Sequence, residues 1–199
     1  GVFKMGKYFN YFIQTNQETM KTYTITIKFI TDYLQARFTE DAKKELTNYV
    51  SKGIVKSDED SWVVFLHQND EGIYIPNMQI RNALVNAGRD LKLKKQRRSL
   101  QQWVISNVII NPERIYIGKK KPDTVVTSYP ARKDGNRVVT KHPSFTKGLE
   151  IQFELLTLDD DMEQKAIEEL VRIAGKNYGI GARRRDMFGR FELVYIKLG

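Results

Sequence analysis

The chain has 199 residues, 41% of them hydrophobic and 11% aromatic, enough apolar content to bury a core and a length suited to one elaborated domain. Lys and Arg number 33 against 24 Asp and Glu, a formal net charge of +9, which favours polyanionic partners such as nucleic acid but also fits a merely solvated basic surface. The absence of cysteine excludes a disulfide framework and thiolate metal sites and suits a reducing, cytoplasmic setting. No apolar run reaches the roughly 18 residues of a bilayer span, so a soluble protein with no membrane partner is expected.

Residues 1–19, GVFKMGKYFNYFIQTNQET, lack the apolar segment and cleavage site of a signal peptide. They are expected to form an N-terminal extension, or else a partner-binding arm, since Phe3, Tyr8, Phe9, Tyr11, Phe12 and Ile13 are too apolar to stand exposed. A single domain is expected over 20–199. In TYTITIKFI, 22–30, Tyr23, Ile25, Ile27 and Phe29 alternate with Thr and Lys, which predicts a strand with one buried face. Thr39 can cap a helix through 40–50, with Gly53 beyond its end and Ala42, Leu46, Tyr49 and Val50 on one side.

SWVVFLHQ, 61–68, reads as a second strand, and NDEG, 69–72, as a hairpin turn into IYI, 73–75. Pro76 opens a helix that is expected to stop at Gly88. Residues 89–98, RDLKLKKQRR, carry six positive charges and one negative and cannot be core. SLQQWVISNVII, 99–110, and ERIYIG, 113–118, read as strands or as a helical turn followed by strand. Residues 119–148 hold three of the five prolines and read as a long excursion with a DGN turn at 134–136.

LEIQFELLTL, 149–158, alternates strictly, with Leu149, Ile151, Phe153 and Leu155 inward. The helix over 160–175 has Asp160 and Asp161 at its positive end, an apolar stripe of Met162, Ala166, Ile167, Leu170 and Ile173, and Gly175 as its expected stop. FELVYIKL, 191–198, is the last strand. The order predicts an α+β fold: a ferredoxin-like or RRM-like βαββαβ antiparallel sheet, helices on one face, and a large insertion at about 76–148.

GIGARRRDMFGRF, 179–191, joins the last helix to the last strand. Gly179, Gly181 and Gly189 permit positive φ or close approach, and Arg183, Arg184, Arg185 and Arg190 supply forked donors that suit phosphate. A plain glycine turn with solvated arginines is the competing explanation. The segment is neither a P-loop, lacking GK[ST], nor a dinucleotide fingerprint, since its glycines follow a helix.

The run 149–195 resembles the C-terminal half of the RRM-like domains in the RAMP superfamily of CRISPR-associated proteins, which end in a glycine-rich loop of the G-x-G-(x)n-G-[RK]-[FL] type before the last strand. YIPNMQIRNAL, 74–84, is similar to the segment of the backbone-subunit branch in which an IPG-S-x-[IL]-[RK] stretch opens a helix, with Asn77 where that branch often has Gly. The resemblance implies an RRM-like fold that grips single-stranded RNA by its backbone, as a homo-oligomer or among effector-complex subunits. It equally accommodates a stand-alone relative encoded by a virus or mobile element.

A phosphate-tracking groove needs cations, and Arg81, Arg89, Lys92, Lys94, Lys95, Arg97 and Arg98 are candidates beside the loop arginines; single-stranded RNA or DNA is the expected partner. Tyr74, Tyr116, Tyr129 and Phe188 are candidate stacking faces, though aromatics are more often core. The RNP1 signature is absent, so base stacking of that kind is not expected.

Catalysis has weaker support. A metal-independent ribonuclease pairs a histidine with a second acid–base group, and the two histidines are His67 and His142, the latter near Lys141 and Tyr129. Asp32 after the first strand is a turn residue that could act in cleavage by analogy with RNA-cleaving backbone subunits. Asp159, Asp160 and Asp161 could attract a cation, but helix capping accounts for them. No catalytic residue, metal or cofactor is therefore assigned. An interaction protein that mimics an effector backbone subunit is the third reading.

Overall fold

The structure, a computed structural model, describes residues 20–37, 40, 44, 62–91, 100–129, 140–158 and 162–199. The expected helix over 40–50, the DGN turn, the extension 1–19, Asp159 to Asp161 and the lysine-rich stretch 92–98 lie wholly or largely outside those residues. The fold is mixed α+β, with antiparallel sheets and three helices among the described residues.

The main sheet has four strands. β1 (Lys21–Phe29) lies between β9 (Glu150–Thr157) and β10 (Phe191–Leu198), and β5 (Val108–Asn111) pairs with the far side of β9, every pairing antiparallel. The period-two pattern puts Tyr23, Ile25, Ile27 and Phe29 of β1 beside Ile151, Phe153 and Leu155 of β9, all buried. Removing each such side chain from water contributes about 1.5–3 kcal/mol. The opposite face carries Thr22, Thr24, Thr26 and Lys28 with Glu150, Gln152 and Glu154, and a Lys28–Glu150 pair at 3.5 Å. It has no aromatic residue on its two central strands, and Tyr195 of β10 stands beside Thr26.

The helices cover the apolar face. α1 (Asn77–Asp90) packs on α2 (Leu100–Asn107), on α3 (Gln164–Ile173) and on β5. Its buried residues Ile80, Ala83, Leu84 and Ala87 follow the 3.6-residue period. Gly88, expected just beyond the helix, lies inside it. A Cβ there would stand 2.7 Å from Gln101 Cα, so this glycine lets α2 cross α1 closely. The stretch 76–148 thus contributes α1 and β5 to the main sheet layer.

Residues 61–68 depart from expectation. Val63–Phe65 form a 3-10 turn, and only Gln68–Asn69 (β3) are extended, pairing with β4 (Gly72–Pro76) in the expected hairpin. Val63 is exposed, Phe65 and Leu66 turn fully into the core and Trp62 packs against it in part, so the apolar run is not a period-two face. β6 (Arg114–Tyr116) completes this small sheet. A third sheet joins β2 (Tyr33–Leu34), β8 (Thr140–Phe145) and β7 (Thr124–Ser128), the last two being the arms of the expected excursion.

Candidate nucleic-acid interface

The glycine–arginine loop begins where α3 loosens. Residues Ala174–Tyr178 continue α3 as a single π turn, and Gly179 at φ 63° ends it. Gly175, the expected stop, is inside this turn, where a Cβ would meet Phe191 Cδ2 at 2.6 Å. The loop then closes on itself through Ile180 N–H to Gly189 O (3.0 Å) and is stapled to the turn after β1. Gly189 N–H donates to Asp32 O (2.8 Å), Ala182 N–H to Leu34 O (2.8 Å) and Thr31 Oγ1 to Met187 O (2.8 Å).

The glycines serve these staples. Gly181 (φ 85°) lies against Leu34 O and Tyr33, and Gly179 against Gly189 O; side chains there would separate the loop from β2. The close approach expected of them is made to the chain's own backbone, and the amides of Ile180, Ala182, Gly189 and Arg190 are already used. Asp32 Oδ1 accepts Lys147 N–H at 2.8 Å, a turn contact.

The arginines diverge from this frame. Arg183, at φ 54°, donates from Nε to Asp186 Oδ2 at 2.6 Å, while Arg184 and Arg185 are exposed. Arg190 is buried: Nη2 donates to Arg184 O at 3.1 Å, whereas Nε and Nη1 have no partner among the described residues. Burial, then the neighbouring Arg184 charge, holds its pKa below the ordinary value.

A cleft of about 570 Å³ lies between this loop and α1. Arg183 and Arg184 with Ile180 to Ala182 form one wall; Gln79, Asn82, Val85 and Asn86 of α1 form the other, with Ala36 and His142 completing the lining. No carboxylate is among its described lining residues, and Arg183 and Arg184 give it a positive character that Asp186, paired with Arg183, offsets in part. Tyr33 OH donates to Gln79 Oε1 at 3.0 Å, fixing that amide. His142 Nδ1 is 3.3 Å from Gln35 O; a carbonyl only accepts, so Nδ1 carries the proton and Nε2 is an acceptor. Burial first, and then the Arg183 charge, hold the imidazole neutral by pulling its pKa down.

Sequence reasoning named the arginines but missed Gln79, Asn82 and Asn86. Their i, i+3, i+7 spacing opposite the apolar face of α1 was the available signal.

The other candidates are dispersed. Arg81 ties α1 to the end of α2, donating from Nη2 to Ile105 O (2.8 Å) and from Nε to Val108 O (3.3 Å). Arg89 is exposed at the last turn of α1; Lys92, Lys94, Lys95, Arg97 and Arg98 lie outside the described residues. Tyr74 and Tyr116 form an edge-on pair (5.9 Å) on the small sheet, with Arg114 over the Tyr74 ring at 5.5 Å. His67 packs beside Tyr74 with its Nε2 buried and without a partner among the described residues. Tyr129 is exposed and Phe188 half-buried. No cluster of His, Asp and Glu suited to a metal occurs among the described residues, and no described helix is long and apolar enough to cross a membrane.

No family model matches the chain, and no curated protein matches it in sequence. In fold it is similar to a chain of the Type III-B Cmr-beta bound to cognate target RNA, seen by cryo-EM, with a TM-score of 0.50 and 18% identity, covering 98% of this chain and 68% of that one. It is also similar to Cmr6 from Pyrococcus furiosus (TM-score 0.48, 10% identity, 90% of this chain and all of that one). A chain of a Type IV-B CRISPR complex gives 0.45 and 11%, over 89% and 90% of the two chains. At these identities the likeness is one of fold: the chain shares its mixed α+β architecture with a chain of the Type III-B Cmr-beta.

Proposed function

We propose that this protein binds single-stranded nucleic acid, RNA by preference, without cleaving it, by laying the phosphate backbone against the glycine–arginine loop and along the cleft beside α1. The observation that carries this reading is the cleft itself, with Arg183 and Arg184 on one wall, carboxamides on the other and no carboxylate among its described lining residues. Arginine forks suit phosphate geometry, and the net charge of +9 acts in the same sense. The RNA held by the Cmr-beta assembly and the two motif resemblances to the RAMP superfamily support RNA as the ligand class. Arg185, Arg89 and the basic stretch 92–98 would extend the phosphate track.

The accompanying fold reading is ferredoxin-like: β1, α1, β5, β9, α3 and β10 taken as βαββαβ give the strand order 4-1-3-2 with both helices on one face. On that reading one domain spans 20–199, residues 1–19 are an extension, and the elaborations fall between β1 and α1 and between β5 and β9. Assembly with itself or with effector subunits would use the outer edge of β10, where Val194, Tyr195 and Leu198 are exposed; light scattering against concentration tests it.

The deciding experiment is equilibrium binding of a labelled single-stranded oligoribonucleotide across a salt series. Binding that is strongest at low salt and weakened by Arg184→Ala supports the reading, and no binding at low salt ends it. A second reading, metal-independent RNA cleavage, is favoured by one observation: a neutral His142 lines the cleft. RNA cleavage that persists in EDTA and vanishes in His142→Ala would establish it.

A further inference from the structure

We propose that the turn Arg184–Asp186 is a gate over Arg190, and that a phosphate group displaces this turn and is then held by the buried guanidinium. The inference rests on the reading of this loop as a phosphate-binding element. Arg190 is only 8% exposed, and its Nε and Nη1 have no partner among the described residues. A guanidinium taken out of water without a counter-charge is costly, and Arg184 beside it adds a like charge. An oxyanion would relieve both.

The position of the turn explains how one is admitted. A guanidinium offers two forked edges, Nε with Nη2 and Nη1 with Nη2, and a phosphate is held best by a complete fork. Nη2 belongs to both edges, and it is engaged by Arg184 O at 3.1 Å. Neither fork is complete while the turn is down; lifting the turn frees Nη2 and completes both. The charge-assisted bonds to an oxyanion are stronger than the bond to a neutral carbonyl that they replace.

The turn is also lightly fastened. Arg183 (φ 54°) and Met187 (φ 70°) bracket it and are the two described residues other than glycine with positive φ, a backbone state unfavourable for a residue with a Cβ. Besides Arg190, the fastener is Thr31, whose Oγ1 donates to Met187 O at 2.8 Å and accepts Arg190 N–H at 2.9 Å. The Arg183–Asp186 pair lies within the loop and does not tie it down.

The test compares thermal midpoints in sodium phosphate and sodium chloride at matched pH and ionic strength. Phosphate at ten times its dissociation constant should raise the wild-type midpoint by about 4 °C. Lys28→Met, which removes a charge on the opposite face of the main sheet, should keep the rise. Arg190→Met should lose it, and in chloride should be no less stable than the wild type, because an unpaired buried charge has been removed. Thr31→Val should bind phosphate several-fold tighter, because the closed turn has lost a fastener. The gate is overturned by a wild-type midpoint indifferent to phosphate, by a rise that survives Arg190→Met, by a lower Arg190→Met midpoint in chloride, or by unchanged phosphate affinity in Thr31→Val.

A labelled single-stranded oligoribonucleotide identifies the source of the phosphate. If it is a backbone phosphodiester, Arg190→Met weakens binding and lowers the slope of log affinity against log salt by about one. Unchanged oligonucleotide affinity and slope, with the phosphate rise lost, supports the gate with free phosphate as its ligand. Absence of oligonucleotide binding at low salt ends the nucleic-acid reading, and the midpoints in phosphate then decide the gate separately.

Discussion

Gln35 and His142 are tied together in the interior, with the imidazole Nδ1 3.3 Å from the Gln35 main-chain oxygen. Gln35 is fully buried, and its side chain makes two further ties: Nε2 donates to Tyr74 O at 3.0 Å, and Oε1 accepts His67 N–H at 2.8 Å. One polar residue thus joins β2, β4, β8 and the segment before β3, and holds His142 at the cleft.

Gln35→Ala should therefore destabilise the chain by about 2–4 kcal/mol, since it leaves a buried carbonyl and a buried N–H without partners. Gln35→Glu should not rescue it, because a carboxylate cannot donate to Tyr74 O. Urea unfolding measures both.

Stability should fall on acidification. Burial, reinforced by Arg37, pushes His67 down to about 4, and burial with the Arg183 charge lowers His142. A folded-state pKa below the unfolded value of about 6.5 means that the unfolded chain binds more protons in that interval. The stabilisation is present in full above about 6.5 and is lost as pH falls towards 4. Thermal midpoints should rise from pH 4 to pH 6.5 and level off above it. His67→Phe should flatten part of that rise, because it removes an ionisable group whose Nε2 has no partner among the described residues.

The loop glycines and the loop arginines should separate cleanly on substitution. Gly181→Ala places a Cβ against Leu34 O and within 2.6 Å of Tyr33 Cε2 at a φ of 85°. It should cost about 2–4 kcal/mol of stability, from the left-handed backbone and from overpacking. Arg184→Ala should leave stability unchanged, because only its main-chain oxygen is engaged, by Arg190 Nη2 and Met187 N–H, while oligonucleotide affinity drops. Denaturation and binding curves on the two variants check this.

The elements that could be read from sequence are those whose periodicity reflects burial on one face. Ile151, Phe153 and Leu155 announce β9, and Tyr23 to Phe29 announce β1, because a half-buried strand must alternate. The stretch 61–68 misleads for the complementary reason: a short apolar run carries no phase, and a 3-10 turn that buries Phe65, followed by a buried Leu66, looks the same as a strand. Gly88 and Gly175 resemble helix stops, yet each admits a neighbour, Gln101 or Phe191, that is distant or on another element. The arginine wall was visible as local charge. The carboxamide wall was not, because Gln79 and Arg183 meet only once α1 and the loop are brought together across more than a hundred residues of chain.

Asp186 supplies the last prediction. Its carboxylate takes the Arg183 Nε at 2.6 Å in an i, i+3 pair whose side chains are 32% and 49% exposed. Such an exposed pair adds little to stability, but it occupies one of the two cleft arginines and places a negative charge beside a phosphate track. Asp186→Asn should leave the thermal midpoint nearly unchanged while raising affinity for single-stranded RNA several-fold. The slope of log affinity against log salt should steepen by up to about one, the signature of one additional phosphate contact. An unchanged affinity and slope would mean that Arg183 contributes nothing to binding, and the phosphate track would then run through Arg184 and Arg185 alone.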